Sequence, residues 1–311
     1  MTASAPDVAA QIPDVLIAGT AGFDRLHFAD GRDSGWQLGG SAPYAAVAAA
    51  QALGGMSSVG LLAVVGDDFP THAIARFHAL GVATDGLERR PGPTFRWEAS
   101  YSPDLDTRQT LCSLPGVMAG AAATIPSAWR KSPLTALYLA CDDPIRQSVI
   151  LASLPPPVFT AMDTMALWIR TRRDALVTLL PRVDLFLANE SEARLLLSAP
   201  DNISIPELGQ QLLRLGAARA IVKCGSRGAV YADAKNCVSI PPVPLPPHAL
   251  VDATGAGDAF GGALAVCVAA TRKRAQPLRE AIIQALPRAA RAGSNACRHF
   301  GPWPDSANAP A

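Results

Sequence analysis

The sequence has no excess of charge of either sign. Among its 311 residues, 27 are Lys or Arg and 26 are Asp or Glu, which gives a formal net charge of +1. Without a long-range electrostatic field the chain has no general attraction for nucleic acid or for an anionic membrane, and we predict neither as a partner. Its start lacks the basic and apolar regions of a signal peptide, and no apolar run approaches the ~18 residues that cross a membrane. We therefore expect a cytoplasmic protein.

Common metal and nucleotide motifs are missing as well. The six cysteines form no CxxC pair and lie within apolar runs, which favours reduced core thiols over disulfides or a zinc site. No GxxxxGK[ST] phosphate loop occurs, and "GTAGFD" rather than GxGxxG follows the first predicted strand. These absences argue against a P-loop enzyme and against a dinucleotide-dependent oxidoreductase.

Short apolar runs alternate with helical patterns along most of the chain. An alanine-rich helix is predicted from Ser41, as the N-cap, to Gly54, as the C-cap, and a second helix from Pro70 to Gly81. Six apolar runs predict buried strands: residues 15–19, 58–68, 134–140, 158–163, 183–189 and 219–225. Buried strands that alternate with helices predict an α/β fold whose mostly parallel sheet is covered on both faces.

The stretch "TFRWEASY" departs from this rhythm because its residues alternate strictly in polarity. The alternation puts Phe95, Trp97, Ala99 and Tyr101 on one face, as expected of a half-exposed antiparallel strand. Together with "FDRLHFADGRDSGWQL" it predicts a small sheet outside the main one. We expect this sheet to close over a ligand as a lid, with lid segments near 24–38 and 92–112.

The stretch "DATGAGDAFGGAL" has three small residues between two acids, ahead of an apolar, alanine-rich helix. We predict that the backbone amides of Gly255, Ala256 and Gly257 lie at the positive end of this helix and bind anionic oxygens. Asp258 then stands beside this anion hole. A carboxylate there accepts a proton from a substrate hydroxyl while the amides hold the charge of a transferred phosphoryl group. As an isolated residue, it would more simply cap the helix.

Four ordered motifs resemble those of one protein family. "DATGAGDAFGGAL" is similar to the C-terminal signature of the ribokinase-like, or PfkB, carbohydrate kinases, which include nucleoside kinases, and "QLGGSAPYAAVAAAQALG" resembles their first Gly-Gly signature. "NESEA" resembles the family's NxxE motif, and "VKCGSRGAV" resembles its strand and glycine turn at the nucleotide. The resemblance implies a ribokinase-like three-layer sandwich with a mostly parallel central sheet and a small β lid.

The resemblance also implies roles for the motif residues. Asp258 is the implied catalytic base, and the amides of 255–257 form the anion hole. Asn189 and Glu192 are implied to organise Mg²⁺ and the phosphates of ATP, largely through water, although a helix cap with a solvated Glu is the alternative. The dependence on a monovalent cation is left open. The implied nucleotide-binding residues are Lys223, Gly225, Ser226, Gly228, Thr254, Ser294 and Asn295, where a strand ending in a turn and simple helix packing are the alternatives.

Other positions are implied to bind the acceptor. Asp24 matches the family's substrate-binding acid, whose two oxygens hold adjacent sugar hydroxyls, and Gly39 and Gly40 let the substrate approach the backbone. Tyr44 stands where many sugar kinases of this family have Asn, which favours a larger or flatter acceptor such as a nucleoside. The strings "TFRWEASYSPDLDTRQT" and "AMDTMALWIR" resemble a bacterial PfkB subgroup. That resemblance implies that three further residues lie near the acceptor, namely Arg96, Arg108 and Asp163.

The favoured interpretation is an ATP-dependent, Mg²⁺-requiring kinase that phosphorylates a hydroxyl of a sugar, with a nucleoside kinase of the same fold as the alternative. A catalytically silent ligand sensor is the alternative from another class, and the intact Asp258 motif argues against it. We expect a single kinase domain at residues 13–302 between a flexible tail at 1–12 and a C-terminal tail at 303–311. An exposed edge of the lid favours a homodimer formed through it.

Overall fold

The computed structural model describes residues 12–304 of the chain, except 53, 55–57 and 103–107. The expected tails at 1–12 and 303–311 lie almost entirely outside the described residues, as do residues 103–107 of the expected lid segment. The limits of the kinase domain stay a prediction.

The described residues form strands and helices that alternate along most of the chain. The strands are β1 (Val15–Ala18), β2 (Gly22–Phe28), β3 (Gln37–Gly39), β4 (Val59–Val65), β5 (Val82–Arg89), β6 (Phe95–Tyr101), β7 (Arg108–Leu114), β8 (Ala136–Leu139), β9 (Thr160–Met162), β10 (Leu185–Asn189), β11 (Ala220–Lys223), β12 (Ala229–Ala232) and β13 (Cys237–Ile240). The helices are α1 (Ser41–Ala52), α2 (Thr71–Ala79), α3 (Ser127–Arg130), α4 (Pro144–Ala152), α5 (Ala166–Thr171), α6 (Arg173–Leu179), α7 (Glu190–Leu197), α8 (Ile205–Arg214), α9 (Ala256–Arg272) and α10 (Leu278–Ala296). No helix in the described part of the chain is both long enough and apolar enough to cross a membrane.

The main sheet has nine strands in the order β13-β12-β11-β10-β9-β8-β1-β4-β5. Neighbouring strands pair in parallel, except that β12 is antiparallel to both β11 and β13. The six apolar runs of the sequence form β1, β4, β8, β9, β10 and β11, which confirms the expected mostly parallel sheet. Because parallel strands end at a common edge, the loops after them meet where α/β sheets bind ligands.

Successive residues of the central strands pack into cores on opposite faces of the main sheet. In β1, Val15 and Ile17 join one hydrophobic core, whereas Leu16 and Ala18 join the other. The first core is covered by α1, α2, α9 and α10, and the second by α3 to α8. The result is a three-layer sandwich in which α9 is buried along most of its length, as its alanine-rich sequence predicts.

A second sheet of four strands has the order β3-β2-β6-β7. It confirms the small sheet expected from the two quoted segments, but β6 is antiparallel only to β7 and runs parallel to β2. Asp24 lies opposite Trp97, and Phe28 lies opposite Tyr101. Since side chains alternate between the faces of a strand, these four residues share one face, and Arg96 lies on the other. We call the face with Asp24 the inner face of the lid sheet.

The side chain of Ser41 makes bonds that differ from the predicted N-cap. Its Oγ accepts a hydrogen bond from the Thr20 amide at 3.1 Å and donates one to the Cys141 carbonyl at 2.8 Å. Ser41 therefore joins the start of α1 to the loops after β1 and β8. Gly54 lies just beyond α1 with φ of 55°, the left-handed conformation that favours glycine after a helix.

Candidate active site

The motif "DATGAGD" forms the turn that starts α9. Gly255 precedes the helix with φ of 76°, and a Cβ atom placed on it would lie 2.2 Å from the Tyr44 ring. Only glycine fits there, on both conformational and steric grounds. The first amides of a helix have no acceptor within it. Here the Ala256 amide donates to the Ala253 carbonyl at 3.3 Å, and the Asp258 amide donates to its own carboxyl group, so Gly257 supplies the clearest free donor among the described residues of this turn.

Asp258 lies half-buried in the first turn of α9. Burial, and next the charge of Asp163, raise the pKa of its carboxyl, Lys223 and Arg108 act in the opposite direction, and the resulting pKa is about 7. A carboxylate with a pKa near 7 is a stronger base than an ordinary Asp, and about half of it is ionised at neutral pH. Asp258 thus combines a proton acceptor with the helix end that attracts anions.

Asp24 lies against the two glycines that precede α1. Its side chain is 5% exposed, and its Oδ2 accepts a hydrogen bond from the Gly40 amide at 3.3 Å. A Cβ atom on Gly39 would lie 2.0 Å from the same oxygen, so Gly39 makes room for the Asp24 carboxylate. Burial raises the pKa of Asp24 to about 7, against the hydrogen bond from Gly40. The structure thereby brings together Asp24, Gly39 and Gly40 as the sequence predicts.

Asn189 and Glu192 form a reciprocal cap at the start of α7. The Asn189 side chain accepts from the Glu192 amide at 2.8 Å, and Glu192 Oε2 accepts from the Asn189 amide at 2.8 Å. Glu192 is nevertheless buried rather than solvated. Burial raises the pKa of its carboxyl to about 7, which the charge of Lys223 opposes. The cap uses only one carboxylate oxygen of Glu192, Oε2. The other oxygen is not part of the cap and lies at the edge of the main sheet where the parallel strands end.

The donor chemistry of this edge fits magnesium bound mainly by water and phosphate. In the part of the chain that the structure describes, no three His, Cys, Asp or Glu side chains cluster closely enough to enclose a metal. Mg²⁺ seldom needs such a cage, because it keeps several waters and takes one or two carboxylates together with substrate phosphates. Glu192 is a suitable oxygen donor of this kind.

Lys223 ends β11 and reaches the start of α9. Its Nζ donates to Asp163 Oδ2 at 2.5 Å, and a Cβ atom on Gly257 would lie 2.9 Å from that Nζ. The Lys223 ammonium group therefore lies beside the predicted anion hole. Asp163 is 2% exposed and bound to this lysine, rather than presented to the open part of the cleft.

The turn after β11 contains two of the glycines that were predicted to bind the nucleotide. Gly225 and Gly228 have φ of 56° and 88°, and a Cβ atom on Gly228 would lie 2.1 Å from the Ile240 carbonyl oxygen. Ser226 lies exposed between them. The hairpin backbone alone therefore accounts for a glycine at position 228. This agrees with the alternative of a strand that ends in a turn, which needs no nucleotide.

Ser294 and Asn295 face different surroundings. The Ser294 hydroxyl donates to the Val243 carbonyl at 3.1 Å, which ties α10 to the segment after β13. Asn295 instead lines a groove of about 600 Å³ between α1 and α10, together with Tyr44 and Arg291. The two adjacent side chains therefore have different neighbours, and their role at the nucleotide stays a prediction.

The inner face of the lid sheet meets the start of α9. The Tyr101 and Thr254 hydroxyl groups lie 2.8 Å apart, so the predicted nucleotide-binding Thr254 is engaged by the lid. Arg108 stacks over the Trp97 ring at 5.2 Å. It is exposed, yet its charge acts on both Glu192 and Asp258, because it pairs with Tyr101 on the inner face of the lid sheet.

Arg96 lies on the outer face of the lid sheet, away from Asp24 and Arg108. It pairs with Asp68 at 3.2 Å and stacks over the rings of Phe23 and Trp36. The structure therefore does not bring Arg96 to the acceptor side of the cleft, because alternation along β6 directs it outward. Its contacts join the lid sheet to the loop after β4.

Asp252 and Tyr101 also lie at the start of α9, although we predicted no role for either. Asp252 is 0% exposed, its Oδ1 accepts from the Thr254 amide at 2.8 Å, and its Oδ2 has no hydrogen-bond partner. Burial raises the pKa of Asp252 to about 6. The sequence signal was present for Asp252, the first acid of "DATGAGD", but nothing local marked Tyr101.

Comparisons with known proteins bear on this arrangement. Residues 161–305 match the model of the pfkB family carbohydrate kinases. The chain is 28% identical over 300 residues to a cytidine kinase of Thermococcus kodakarensis, a match that covers 93% of this chain and 98% of that protein.

Solved structures of low sequence identity share the fold. The chain is similar to adenosine kinase from Sinorhizobium meliloti with a TM-score of 0.73 and 19% identity, over 94% of this chain and 96% of that one. It is similar to a putative ribokinase II from Escherichia coli, in complex with ATP and Mg²⁺, with a TM-score of 0.66 and 22% identity over 94% of each chain. These matches confirm the expected ribokinase-like α/β fold, and the individual residue roles stay predictions.

Proposed function

We propose that this chain, a kinase of the PfkB carbohydrate kinase family, phosphorylates a hydroxyl of a nucleoside with ATP. The family match confirms the predicted phosphotransferase that acts on a sugar or nucleoside hydroxyl, and ATP is the phosphoryl donor of kinases in this family. The choice of a nucleoside over a free sugar is our proposal. The similarity to a cytidine kinase along nearly the whole chain supports it.

One observation carries the choice of acceptor: Asp24 and Trp97 lie opposite each other on the inner face of the lid sheet. Two carboxylate oxygens suit adjacent ribose hydroxyls, and an aromatic ring suits stacking against a base. The Trp97 ring is held by a hydrogen bond from its Nε1 to Thr110 Oγ1 at 3.1 Å and by the stacked Arg108. A pair of this kind would bind the two halves of a nucleoside, whereas a free sugar would use only Asp24.

The proposed chemistry centres on Asp258. Its carboxylate takes the proton of the acceptor hydroxyl as that oxygen attacks the γ-phosphorus in line, and the γ-phosphorus–oxygen bond to ADP breaks. The amides at the start of α9 stabilise the charge on the transferred group. If Asp24 holds the adjacent 2′ and 3′ hydroxyls, the primary 5′ hydroxyl is the one left to react. A closed lid sheet excludes water and so limits hydrolysis of ATP.

Two ions are part of the proposal. Mg²⁺, held by Glu192 through water with Asn189 beside it, would neutralise charge on the ATP phosphates. A monovalent cation would be held near Asp252, since the unpartnered and fully buried Oδ2 of that residue is an oxygen that needs a cation or a donor.

The expected cytoplasmic location and lid-mediated homodimer also stay proposals. The outermost strand of the lid sheet, β7, has mostly exposed residues, and Leu111 and Leu114 are 53% and 54% exposed. An uncovered strand of this kind is suited to pairing with another strand. We expect only small molecules, and neither nucleic acid nor a membrane, as further partners.

A panel of acceptors tests the proposed function. The purified protein is incubated with ATP, Mg²⁺ and KCl and with cytidine, uridine, adenosine, inosine, 2′-deoxycytidine, ribose or fructose, and phosphorylated products are identified by phosphorus NMR. We expect a nucleoside 5′-monophosphate, with kcat/KM for the best nucleoside at least about 100-fold above that for ribose, the discrimination that buried contacts to a base supply. Loss of one hydroxyl in 2′-deoxycytidine should raise KM. Chelation of Mg²⁺, and replacement of K⁺ by tetramethylammonium, should each lower the rate.

Two results would contradict the proposal. Preference for ribose or fructose would show that the chain is a sugar kinase. Silence with every acceptor, together with measurable binding of nucleosides, would favour the ligand sensor.

A further inference from the structure

Asp163 is the most heavily bound carboxylate of the site. Its Oδ2 accepts from Lys223 Nζ at 2.5 Å and from the Tyr138 hydroxyl at 3.0 Å, and its Oδ1 accepts from the Thr164 amide at 2.9 Å. The side chain is 2% exposed. A carboxylate that is buried and already bound to three donors has little capacity left for the hydroxyls of an acceptor.

The surroundings of Asp163 are rigid. The Gln147 side-chain amide donates to the carbonyl oxygens of Asp163, Ala140 and Leu139 at 3.1, 3.0 and 3.3 Å. Tyr138 runs under α9, where a Cβ atom on Gly261 would lie 2.1 Å from its hydroxyl oxygen. The Asp163 carboxylate is therefore anchored jointly by β8, β9 and α4.

Lys223 depends on this anchor to stay charged where it lies. Its side chain is 15% exposed, and burial alone would lower its pKa. The charges of Asp163 and Glu192 outweigh burial and raise the pKa of Lys223 above its usual value. A Cβ atom on Gly257 would lie 2.9 Å from Lys223 Nζ, so this charged group lies beside the amides of the predicted anion hole.

We propose that Asp163 is a positioning residue for phosphoryl transfer: it holds the Lys223 ammonium group at the start of α9, where Lys223 binds the transferred phosphoryl group. This role replaces the acceptor contact that the sequence implied for Asp163, and it rests on the proposed function. A fixed cation at this point stabilises the charge on the phosphoryl oxygens in the transition state. Because its position is already set by Asp163, it does not need to move as that charge develops. Tyr138 supports the same geometry through its hydroxyl.

The proposal has a second consequence for Asp258. The charges that act most strongly on Asp258 are those of Asp163, Lys223 and Arg108, and the charge of Asp163 is the largest of those that raise its pKa. Four further titratable groups also act on Asp258, namely Asp24, Tyr44, Tyr138 and Cys141. Removing the charge of Asp163 should thus lower the pKa of the base. Activity on the acid side of neutrality, limited by protonation of Asp258, should then extend to lower pH.

The test compares Asp163→Asn with a matched control, Asp233→Asn. Asp233 is also buried and also accepts from a tyrosine hydroxyl and a cation, Tyr231 at 3.0 Å and Arg279 at 2.7 Å. It follows β12, whose last residue pairs with the first residue of β11, so it lies at the opposite edge of the main sheet from the site. The measurements are kcat and acceptor KM as functions of pH, ATP affinity by calorimetry without acceptor, and thermal stability.

For Asp163→Asn we expect kcat to fall by roughly 100-fold, acceptor KM to change by less than about three-fold, the acid limb to move to lower pH, and ATP affinity to fall. Asp233→Asn should lower stability without any of these effects. A rise in acceptor KM at unchanged kcat would overturn the proposal in favour of acceptor binding, and so would an unmoved pH profile with unchanged ATP affinity. Tyr138→Phe removes only one hydrogen bond and should show a weaker form of the same pattern, which keeps the test decisive if Asp163→Asn does not fold. Because ATP affinity needs no acceptor, its outcome is separate from a failure of the proposed function.

Discussion

Asp24 and Asp258 show how the fold changes the chemistry of single residues. Each has an ordinary pKa of 3.8, and burial is the main cause that raises it to about 7 in the folded protein. A value near the working pH suits a general base. The sequence motif identified both positions, but it could not predict their pKa values. Those values depend on the packing of the lid sheet and α9 around them.

Gly255 allows a test of the motif at one position. We expect Gly255→Ala to abolish most phosphoryl transfer and to destabilise the protein, since its Cβ atom would lie 2.2 Å from the Tyr44 ring at a φ of 76°. Gly81 has φ of 75° but nothing within 4 Å of the position of a Cβ atom. Gly81→Ala should therefore cost only the left-handed strain, about 1–2 kcal/mol.

Denaturant titration of both variants gives the two free energies of unfolding. A larger loss for Gly255→Ala is the expected result. Equal losses would show that Tyr44 does not brace the turn at the start of α9.

Residue contacts were predictable only where a local pattern encodes them. Gly255 and Asp258 belong to one short motif, whereas the bond between Lys223 and Asp163 joins residues 60 positions apart, for which a single sequence holds no signal. Arg96 is a different case. Its place on the outer face follows from the alternation in "TFRWEASY", which separates it from Trp97, whereas the family resemblance implied a place near the acceptor.

At the scale of elements, the central strands were predictable because they are buried on both faces. Continuous apolar runs mark such strands whatever their neighbours are. β5 at the edge of the main sheet was missed, since its sequence "VATDGLER" mixes buried and exposed residues. The order of the strands and the parallel pairing of β2 with β6 depend on contacts between distant segments and carry no local signal.

The start of α7 is compatible with both interpretations of the NxxE motif, the helix cap and the binding site. Asn189 and Glu192 form the cap that the simpler alternative described. Glu192 is nevertheless buried rather than solvated, at the edge of the main sheet where the parallel strands end. An element can thus use the same two residues for its own stability and for a site, and the pattern NxxE alone does not separate these uses.

At the scale of the whole molecule, the fold gathers carboxylates with raised pKa values at one edge of the main sheet. Such an arrangement serves chemistry and lowers stability, because burying an ionised carboxylate without a full set of partners is unfavourable. Ligand-free protein should therefore gain stability when these groups become protonated.

The pH dependence of stability follows from Asp24 and Asp258. Their folded pKa of about 7 lies above the unfolded value of 3.8, so between those values the folded state binds more protons than the unfolded state. Stability from these groups is fully present below about pH 4 and is lost as pH rises through 7. We expect the melting temperature of ligand-free protein to fall by a few degrees from pH 6 to pH 8, measured by scanning fluorimetry at constant ionic strength.

Matched variants locate the source of that change. Asp258→Asn should reduce the fall between pH 6 and pH 8, whereas Asp233→Asn, at a carboxylate whose pKa is lowered, should leave it unchanged. A melting temperature that rises over this interval would show that the site carboxylates do not carry the strain we assign to them.

The most direct test of the whole account is the rate of phosphoryl transfer from ATP to cytidine by the natural protein and by Asp258→Asn. We expect cytidine monophosphate from the natural protein. For the variant we expect a loss of kcat of at least about 100-fold, since a positioned general base contributes roughly 100- to 10,000-fold, while ATP affinity is kept and the melting temperature at pH 8 does not fall. A variant that transfers phosphate within a few-fold of the natural rate would contradict the assignment of Asp258 as the base on which the mechanism is built.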